Sequence, residues 1–192
     1  MHNDLKQKNL LPLNQPFNTP PWNYNGTESL TSIPFSHVDW VLIIIRDVNG
    51  NIISRAAGFV NIFGDVIDAD GTFGIAVKNP VGNYISVHHR SHLPVIAKYP
   101  YGNGTYNFTL SNTQVQGTEQ MKLIDGIYML YAGDYDGSGI INSSDFNNWT
   151  IQGAAINQYL PIDGDGNGIV NSIDYNLWQN NKSKVGHPFV RD

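Results

Sequence analysis

Two stretches of the chain repeat one pattern of oxygen-bearing side chains around a central glycine. The first runs from Asp134 to Asp145 and the second from Asp163 to Asp174. Both carry Asp, Asn or Ser at positions 1, 3, 5, 9 and 12, Gly at position 6, and Ile or Val at positions 7 and 8. A single run of Asp, Asn and Gly is often only a solvated turn, because these residues adopt left-handed conformations and hydrogen-bond to their own backbone. Two matches over the whole pattern favour two copies of one ion-binding loop.

The spacing of these side chains suits Ca²⁺. This ion takes roughly six to eight oxygen ligands, and alternate side chains of a loop of about twelve residues surround it when a glycine permits a sharp turn. We expect side-chain oxygens from positions 1, 3, 5 and 12, a direct or water-mediated contact from position 9, and a backbone carbonyl from position 7. The predicted ligands of two Ca²⁺ ions are Asp134, Asp136, Ser138, Ile140, Asn142 and Asp145, and Asp163, Asp165, Asn167, Ile169, Asn171 and Asp174. Because Ser is a poorer ligand than Asn or Asp, we predict weaker binding in the first loop.

The middle of the chain predicts short strands and turns. Only 14% of the 192 residues are charged, and 19 Gly and 10 Pro interrupt apolar runs, which is typical of a β-sandwich. Asn49 and Gly50 separate the runs 38–46 and 51–60, which predicts a hairpin. Further strands are predicted at residues 64–68, 72–77, 84–92, 95–98, 106–110 and 121–131. Residues 37–131 are therefore predicted to form a mostly β sandwich.

Residues 1–36 show little periodicity and are rich in Asn, Pro, Ser and Thr. Phe17, Trp22 and Tyr24 argue against a free tail, because large aromatic side chains favour burial. We predict an irregular lead-in that packs on the sandwich.

Residues 132–192 contain both loops, and a helix is predicted after each loop. Phe146 and Trp149 follow the first loop at the same offsets at which Tyr175 and Trp178 follow the second. Residues three apart share a helix face, so these four rings are predicted to form the core of a small all-α domain, with Ile141 and Val170 pairing between the loops. The short connection to the sandwich predicts that the small domain is docked on it.

The duplicated loop and helix units resemble a type I dockerin. They lack the entering helix of an EF-hand, and Asp145 and Asp174 close the loops where an EF-hand uses Glu. This resemblance covers residues 133–184. Through residues 38–41 and 89–93, the whole chain also looks like a module near the C-terminus of large bacterial surface proteins, where a β-domain precedes a dockerin-like pair. The stretch 80–87 looks like a turn and inner strand of an immunoglobulin-like or prealbumin-like sandwich.

Dockerins attach to cohesin domains in cellulosomes and related surface assemblies. The family uses loop positions 10 and 11 and the following helix, which implies Ser143, Ser144, Ser172 and Ile173 as partner-binding residues. The resemblance therefore implies a cohesin-like protein partner. The alternative partner of this surface is the chain's own β-sandwich.

Three functional interpretations follow from the sequence. In the first, the chain is a non-catalytic extracellular calcium-binding module for protein–protein attachment in a surface or polysaccharide-degrading assembly. In the second, it is a calcium-stabilised structural spacer of a surface protein, with the dockerin-like pair packed on its own sandwich. Carbohydrate binding is a minor third interpretation, which would require an exposed aromatic platform.

Composition argues against several other functions. The 11 Lys and Arg and the net charge of -5 argue against nucleic-acid binding, and no apolar run is long enough for membrane insertion. The only glutamates are Glu28 and Glu119 and no nucleophile or phosphate motif is present, so we predict no enzyme. Free calcium is plentiful outside cells, and we expect part of a longer secreted protein rather than a cytosolic chain.

Three residues of a predicted strand, His88, Arg90 and His92, alternate and would share one face of it. The two histidines alone are too few for a transition-metal site, because such sites need three or more protein ligands.

Overall fold

The structure, a computed structural model, describes residues 1–191, and this part of the chain is mostly β with few helices. A five-stranded antiparallel sheet has the strand order β3-β2-β1-β4-β5, and β6 pairs with β7 in a second antiparallel sheet. The strands are β1 His37–Arg46, β2 Ile52–Asn61, β3 Val66–Ile67, β4 Tyr84–His89, β5 His92–Ile96, β6 Lys122–Ile124 and β7 Ile127–Met129. The helices are α1 Asp4–Gln7, α2 Ser143–Gln152 and α3 Ser172–Asn181, with 3₁₀ turns at Phe108–Leu110, Asn112–Gln114 and Pro188–Val190. Among residues 1–191, no helix combines the length and the apolar character needed to cross a membrane.

The predicted hairpin is confirmed as β1 and β2. Their register places Trp40 opposite Phe59. The turn between them is closed by Asp47, whose carboxylate accepts a 2.8 Å hydrogen bond from the backbone N–H of Asn49. Gly50 has a φ of +86°, a conformation that strains residues with a side chain. The Asn-Gly signal in the sequence therefore located this turn correctly.

Other predicted strands differ from the structure. The predicted strand 84–92 is wrong, because the chain turns at Arg90 and Ser91 and separates β4 from β5. Residues 121–131 form the β6–β7 hairpin rather than one strand, since Asp125 and Gly126 both have positive φ. Residues 106–110 end in a 3₁₀ turn that the side chain of Asn107 caps. Turns that depend on local backbone conformation and capping therefore divide or end segments that were predicted as continuous strands.

Both faces of the five-stranded sheet are covered. On one face, Trp40 and Phe59 are fully buried under residues of the lead-in, which are Leu5, Leu11, Phe17, Trp22 and Ile33. On the other face, Val95 packs with Val115 and Met121 from the segment that follows β5. Burial of each large apolar side chain contributes about 1.5–3 kcal/mol. Because both faces are covered, the central part of β1, residues 40–45, is continuously apolar rather than alternating.

A separate C-terminal unit, residues 132–191, carries the two loops. α2 and α3 each begin at position 10 of a loop, because the Asn at position 9 caps the helix. Asn142 and Asp145 form a capping box at α2, and Asn171 and Asp174 form the same box at α3. Gly153 is the C-cap of α2.

Reciprocal backbone pairing interlocks the two repeats of the C-terminal unit. Ile140 of the first loop forms an antiparallel bridge with Val185, which follows α3, and Ile169 of the second loop forms one with Ile156, which follows α2. Each loop therefore pairs with the segment that follows the helix of the other repeat.

The predicted pairing of Ile141 with Val170 is wrong. Ile141 is buried in a cluster with Leu93 and Tyr131, whereas Val170 is buried in a second cluster with Tyr135. The two side chains lie in different clusters because the backbone of each loop pairs with the segment that follows the helix of the other repeat.

The four aromatic rings on α2 and α3 contact one another, but the prediction that they form the core of the C-terminal unit is wrong. Their centroids lie between 5.0 and 6.2 Å apart for Phe146, Trp149, Tyr175 and Trp178. All four are only half-buried. The fully buried core beneath them consists of Tyr135, Ile162 and Val170.

The C-terminal unit packs directly against the sheet. The backbone N–H of Leu93 in β5 donates to the carbonyl of Tyr131 at 2.8 Å, and that of Gly133 donates to the carbonyl of Ser91 at 2.9 Å. Leu93 and Tyr131 are also buried against Ile141 of the first loop. The junction between the two parts of the chain is therefore held by both backbone pairing and apolar contact.

Candidate metal centres

Loop 1 (residues 134–145) brings three carboxylates together. Asp134, Asp136 and Asp145 each offer one oxygen, and these oxygens all lie within 4.8 Å of one another. Gly139, at position 6, has a φ of +77°, and a Cβ atom there would lie 2.9 Å from the Cγ of Arg191. Glycine is therefore required at this turn for both conformation and space.

Loop 2 (residues 163–174) has the same arrangement. Asp163, Asp165 and Asp174 each offer an oxygen within 4.8 Å of the other two. Gly168 has a φ of +78°, and a Cβ atom there would lie 2.4 Å from the Cδ1 of Leu10 in the lead-in. The lead-in thus covers loop 2 as well as the sheet.

The carboxylate at position 12 joins the two ends of each loop. Asp145 accepts a 2.7 Å hydrogen bond from the backbone N–H of Tyr135 and a 2.8 Å bond from that of Asn142. Asp174 makes the corresponding two bonds in loop 2, each 2.8 Å long. These bonds order the loop backbone around the carboxylates.

The asparagines at position 9 have a second role that the sequence reasoning missed. The amide oxygen of Asn142 accepts a 2.7 Å hydrogen bond from the backbone N–H of Ser144, and that of Asn171 accepts one from Ile173, also at 2.7 Å. Both oxygens therefore cap helices. The spacing Asn-x-x-Asp, which resembles a capping box, was the signal that could have revealed this.

The predicted ligands at positions 5 and 7 lie in the same loops. The hydroxyl of Ser138 lies 3.3 Å from the carbonyl of Ile140. In loop 2, the amide oxygen of Asn167 accepts a 2.7 Å bond from the backbone N–H of Ile169, and its Nδ2 donates to Asp165 at 2.8 Å. Both the oxygen and the nitrogen of the Asn167 side-chain amide are therefore hydrogen-bonded within loop 2.

Burial makes negative charge unfavourable in both loops. It raises the pKa of Asp145 and of Asp163 to about 6. Burial, together with the charges of Asp145 and Asp136, raises the pKa of Asp134 well above its usual value. Crowded carboxylates of this kind are stabilised as anions by a bound cation.

One carboxylate oxygen of loop 1 is buried and has no hydrogen-bond partner. The Oδ2 of Asp134 accepts a 2.9 Å hydrogen bond from Gly139, but its Oδ1 is buried without any hydrogen-bond partner. An unsatisfied buried acceptor is unfavourable by about 1–3 kcal/mol, and by more when it is charged. A hard cation with oxygen ligands, such as Ca²⁺, would satisfy this atom and two neighbouring carboxylates at once.

A buried ionic network connects loop 2 to the sheet, and the sequence reasoning missed it. The guanidinium of Arg90 lies 3.0 Å from Asp39 in β1 and 3.9 Å from Asp163 at position 1 of loop 2. The hydroxyl of Tyr159 donates to Asp39 at 2.7 Å, and the Cζ of Arg90 lies 4.3 Å from the centre of the Tyr159 ring. Burial raises the pKa of Asp39, but the charges of Arg90 and His89 outweigh burial and hold it below its usual value.

The prediction that His88, Arg90 and His92 share one face is wrong. The turn at residues 90 and 91 places His89 opposite His92, and their Nδ1 atoms lie 2.9 Å apart. His88 is buried beside the hydroxyl of Ser86. The structure therefore does not bring His88 and His92 together as a ligand pair.

Ser91, His89 and Asp39 form a chain of contacts that resembles a hydrolase triad. The hydroxyl of Ser91 lies 3.2 Å from His89, and His89 lies 3.2 Å from Asp39. Ser91 is completely buried, so a substrate could not reach the hydroxyl. The contacts serve the packing of the β4–β5 turn.

The four residues implied as partner-binding lie in the first turns of α2 and α3. All of them, Ser143, Ser144, Ser172 and Ile173, are exposed. Ile173 is 50% exposed and therefore presents an apolar side chain to solvent. The packing of the C-terminal unit on the sheet leaves this surface accessible.

A cavity of about 450 Å³ adjoins loop 1. It lies between Trp22 of the lead-in, Asp136 of loop 1, Gln152 of α2, and Tyr159. The lead-in thus forms one wall of a space that reaches a predicted ligand of the first loop.

Comparisons of the chain with models of protein families, with curated proteins and with solved structures give no significant match.

Proposed function

We propose that this chain is a non-catalytic calcium-binding module in which two Ca²⁺ ions stabilise the C-terminal unit. The observation that carries the proposal is the buried, unsatisfied Oδ1 of Asp134 beside two further carboxylates. Loop 2 repeats the arrangement of three carboxylates, and it shares with loop 1 the hydrogen bonds from the position 6 glycine to position 1 and from position 2 to position 12. Oxygen-only ligand sets of this kind favour Ca²⁺ over softer metals.

The packing of the C-terminal unit favours a structural role for calcium. Loop 1 is buried against the sheet through Ile141 and Leu93, and loop 2 contacts the sheet through Asp163 and Arg90. Calcium binding would therefore stabilise a contact within the chain. This supports the spacer interpretation, in which a dockerin-like pair is fixed on the β-rich part of its own chain.

The finer fold assignment is part of the proposal. We assign the C-terminal unit to a dockerin-like fold and residues 37–131 to a sandwich with a reduced second layer. The support for the sandwich is the segment after β5, whose Val115 and Met121 cover one face of the sheet. The support for the dockerin-like fold is the pair of loop and helix repeats. An extracellular or cell-surface location, as part of a longer secreted protein, belongs to the same proposal.

Protein–protein attachment is the second candidate function. The exposure of Ser143, Ser144, Ser172 and Ile173 favours it, because docking on the sheet leaves these positions free. A pull-down from surface extracts, with calcium and with a chelator, tests this candidate. A partner retained only in calcium and lost with Ile173→Ser supports attachment. Retention that is indifferent to both changes argues against it.

The four tryptophans do not form the exposed aromatic platform that carbohydrate binding requires. Trp22 and Trp40 are buried, and Trp149 and Trp178 are half-buried in the ring cluster of the two helices. The tryptophans therefore give carbohydrate binding no support.

The number of bound ions tests the calcium proposal. Isothermal titration and native mass spectrometry should give two Ca²⁺ per chain, and one after either Asp134→Ala or Asp163→Ala. Asp70→Ala is the matched control, because Asp70 caps a surface turn outside both loops. It should leave both ions bound. Absence of calcium binding to the unaltered, folded chain would refute the proposal.

A further inference from the structure

We propose that Arg90 is an internal counter-ion of loop 2, which keeps this loop ordered without calcium and makes it the weaker of the two calcium sites. The inference rests on the proposed calcium function and adds an order of binding to it. Loop 1 fills first and loop 2 fills at higher calcium concentration.

The position of Arg90 carries this inference. The residue is 2% exposed, and its Nη2 lies 3.9 Å from the Oδ2 of Asp163. Its Nη1 also donates to the backbone carbonyls of Leu160 and of Asp163, the latter at 3.3 Å. The positive charge is therefore held at position 1 of loop 2 by backbone and side-chain contacts. Asp39, 3.0 Å from the same guanidinium, offsets part of this charge and fixes its position.

Loop 1 has no equivalent cation. Among the ion pairs of residues 1–191, none includes Asp134, Asp136 or Asp145. Arg191 packs its aliphatic part beside Gly139 but is exposed, so water screens its charge. The Oδ1 of Asp134 is also buried without a hydrogen-bond partner, whereas the Oδ1 of Asp163 accepts a 3.1 Å bond from the backbone N–H of Asn167.

The presence of a buried cation beside loop 2 alone should affect both the order of each loop without calcium and its affinity for calcium. A buried cation attracts a nearby carboxylate more strongly than an exposed cation does, because little water screens the interaction. Arg90 therefore offsets the mutual repulsion of the loop 2 carboxylates before calcium binds. Once calcium approaches, the same cation repels it. Loop 1 has greater unrelieved repulsion and gains more from the ion.

This order of affinities is opposite to the one that the ligands alone predict. Ser138 in loop 1 is a poorer ligand than Asn167 in loop 2, which favours weaker binding by loop 1. The buried charge of Arg90 acts on loop 2 in the other direction. We infer that the fixed charge outweighs the single ligand difference.

Matched single-loop variants measure the two affinities separately. Asp165→Ala leaves loop 1 as the intact site, and Asp136→Ala leaves loop 2. By calorimetric titration, we expect the intact loop 1 to bind Ca²⁺ at least tenfold more tightly than the intact loop 2. Equal affinities, or tighter binding by loop 2, would overturn the inference.

Removal of the buried pair tests whether Arg90 is the cause. The double variant Asp39→Asn with Arg90→Gln removes both charges together and avoids an unpaired buried carboxylate. In the Asp136→Ala background it should tighten calcium binding by loop 2 at least fivefold. In the Asp165→Ala background it should change binding by loop 1 less than twofold. Equal shifts of both loops would overturn the assignment to Arg90.

Amide hydrogen exchange of the unaltered, calcium-free chain gives an independent readout. The N–H of Gly168 donates to Asp163 at 2.8 Å, and that of Gly139 donates to Asp134 at 2.9 Å. We expect slower exchange at Gly168 than at Gly139, and equal or reversed rates would refute the counter-ion role. This comparison needs no bound calcium and no buried substitution. It therefore separates failure of the inference from failure of the calcium proposal, and it still decides the matter if the double variant does not fold.

Discussion

The backbone of Ile140 in loop 1 pairs with that of Val185, which lies beyond the helix of the other repeat. The reciprocal bridge joins Ile169 of loop 2 to Ile156. Neither loop is therefore completed by its own repeat alone. This exchange makes the C-terminal unit one structural entity, and order in either loop supports order in the other.

Calcium should raise the thermal stability of the chain. An ion that binds only the folded state adds about 2.7 kcal/mol of stability per site at a free concentration of about 100 times Kd. Differential scanning calorimetry of calcium-free and calcium-saturated protein checks this, with Mg²⁺ as the control ion. Identical melting curves with and without calcium would contradict a structural role for the ion.

Loss of the Asn142 cap of α2 should lower the stability of the folded chain even when calcium stays bound. Asn142→Ala removes the bond to the N–H of Ser144, which should lower the free energy of unfolding by about 1 kcal/mol. Asn142→Ser retains a capping hydroxyl and should cost less than half as much. Urea denaturation of calcium-saturated protein measures both changes. If the two variants are equally destabilised and both lose an ion, Asn142 acts mainly as a ligand.

The response to pH should reverse sign when calcium binds. The pKa of Asp145 and of Asp163 is raised from 3.8 to about 6 in the folded chain, chiefly by burial. Between these values the unfolded state holds fewer protons, so these two groups lower the stability of calcium-free protein as the pH rises from about 4 to 6. Bound calcium requires ionised carboxylates, so calcium affinity should rise over the same range.

Two measurements check this reversal. Titrations at pH 5 and pH 7 should give weaker calcium binding at pH 5, and urea denaturation of protein freed of calcium by dialysis should show the opposite slope of stability. The pKa of Asp39 is shifted in the other direction, so its contribution to stability is lost only below about its usual value of 3.8. Calcium affinity that does not change between pH 5 and pH 7 would argue against carboxylate ligands with raised pKa values.

The hydroxyl of Tyr159 should contribute to docking of the C-terminal unit. It donates a 2.7 Å hydrogen bond to the buried carboxylate of Asp39. Tyr159→Phe should therefore lower the free energy of unfolding by about 1.5–3 kcal/mol, the usual contribution of a hydrogen bond to a charged group. Tyr175→Phe is the matched control, because that hydroxyl makes only a 3.4 Å contact with Gln179. Equal effects of the two substitutions in chemical denaturation would argue against a role of Tyr159 in docking.

Local chemistry explains which parts of the fold were predictable. Asn49 and Gly50 located the β1–β2 hairpin, since few dipeptides adopt the required turn. The paired spacing of Phe146 with Trp149 and of Tyr175 with Trp178 predicted an aromatic cluster that the structure contains. The strand predicted across Arg90 and Ser91 failed, because residues 84–92 contain no Gly, Pro, Asn or Asp to mark the turn.

The two loops, the helices after them and the groups of converging carboxylates could be predicted from local sequence, because they depend on neighbours within about twelve residues. The contact of Arg90 with Asp163 and the pairing of Ile140 with Val185 depend on the folded chain. The same holds for the lead-in, which covers both the sheet and loop 2. These contacts join residues far apart in the chain, and burial sets their strength, so no local pattern encodes them. Their placement adds a difference between the two loops beyond the four positions at which the loop sequences differ.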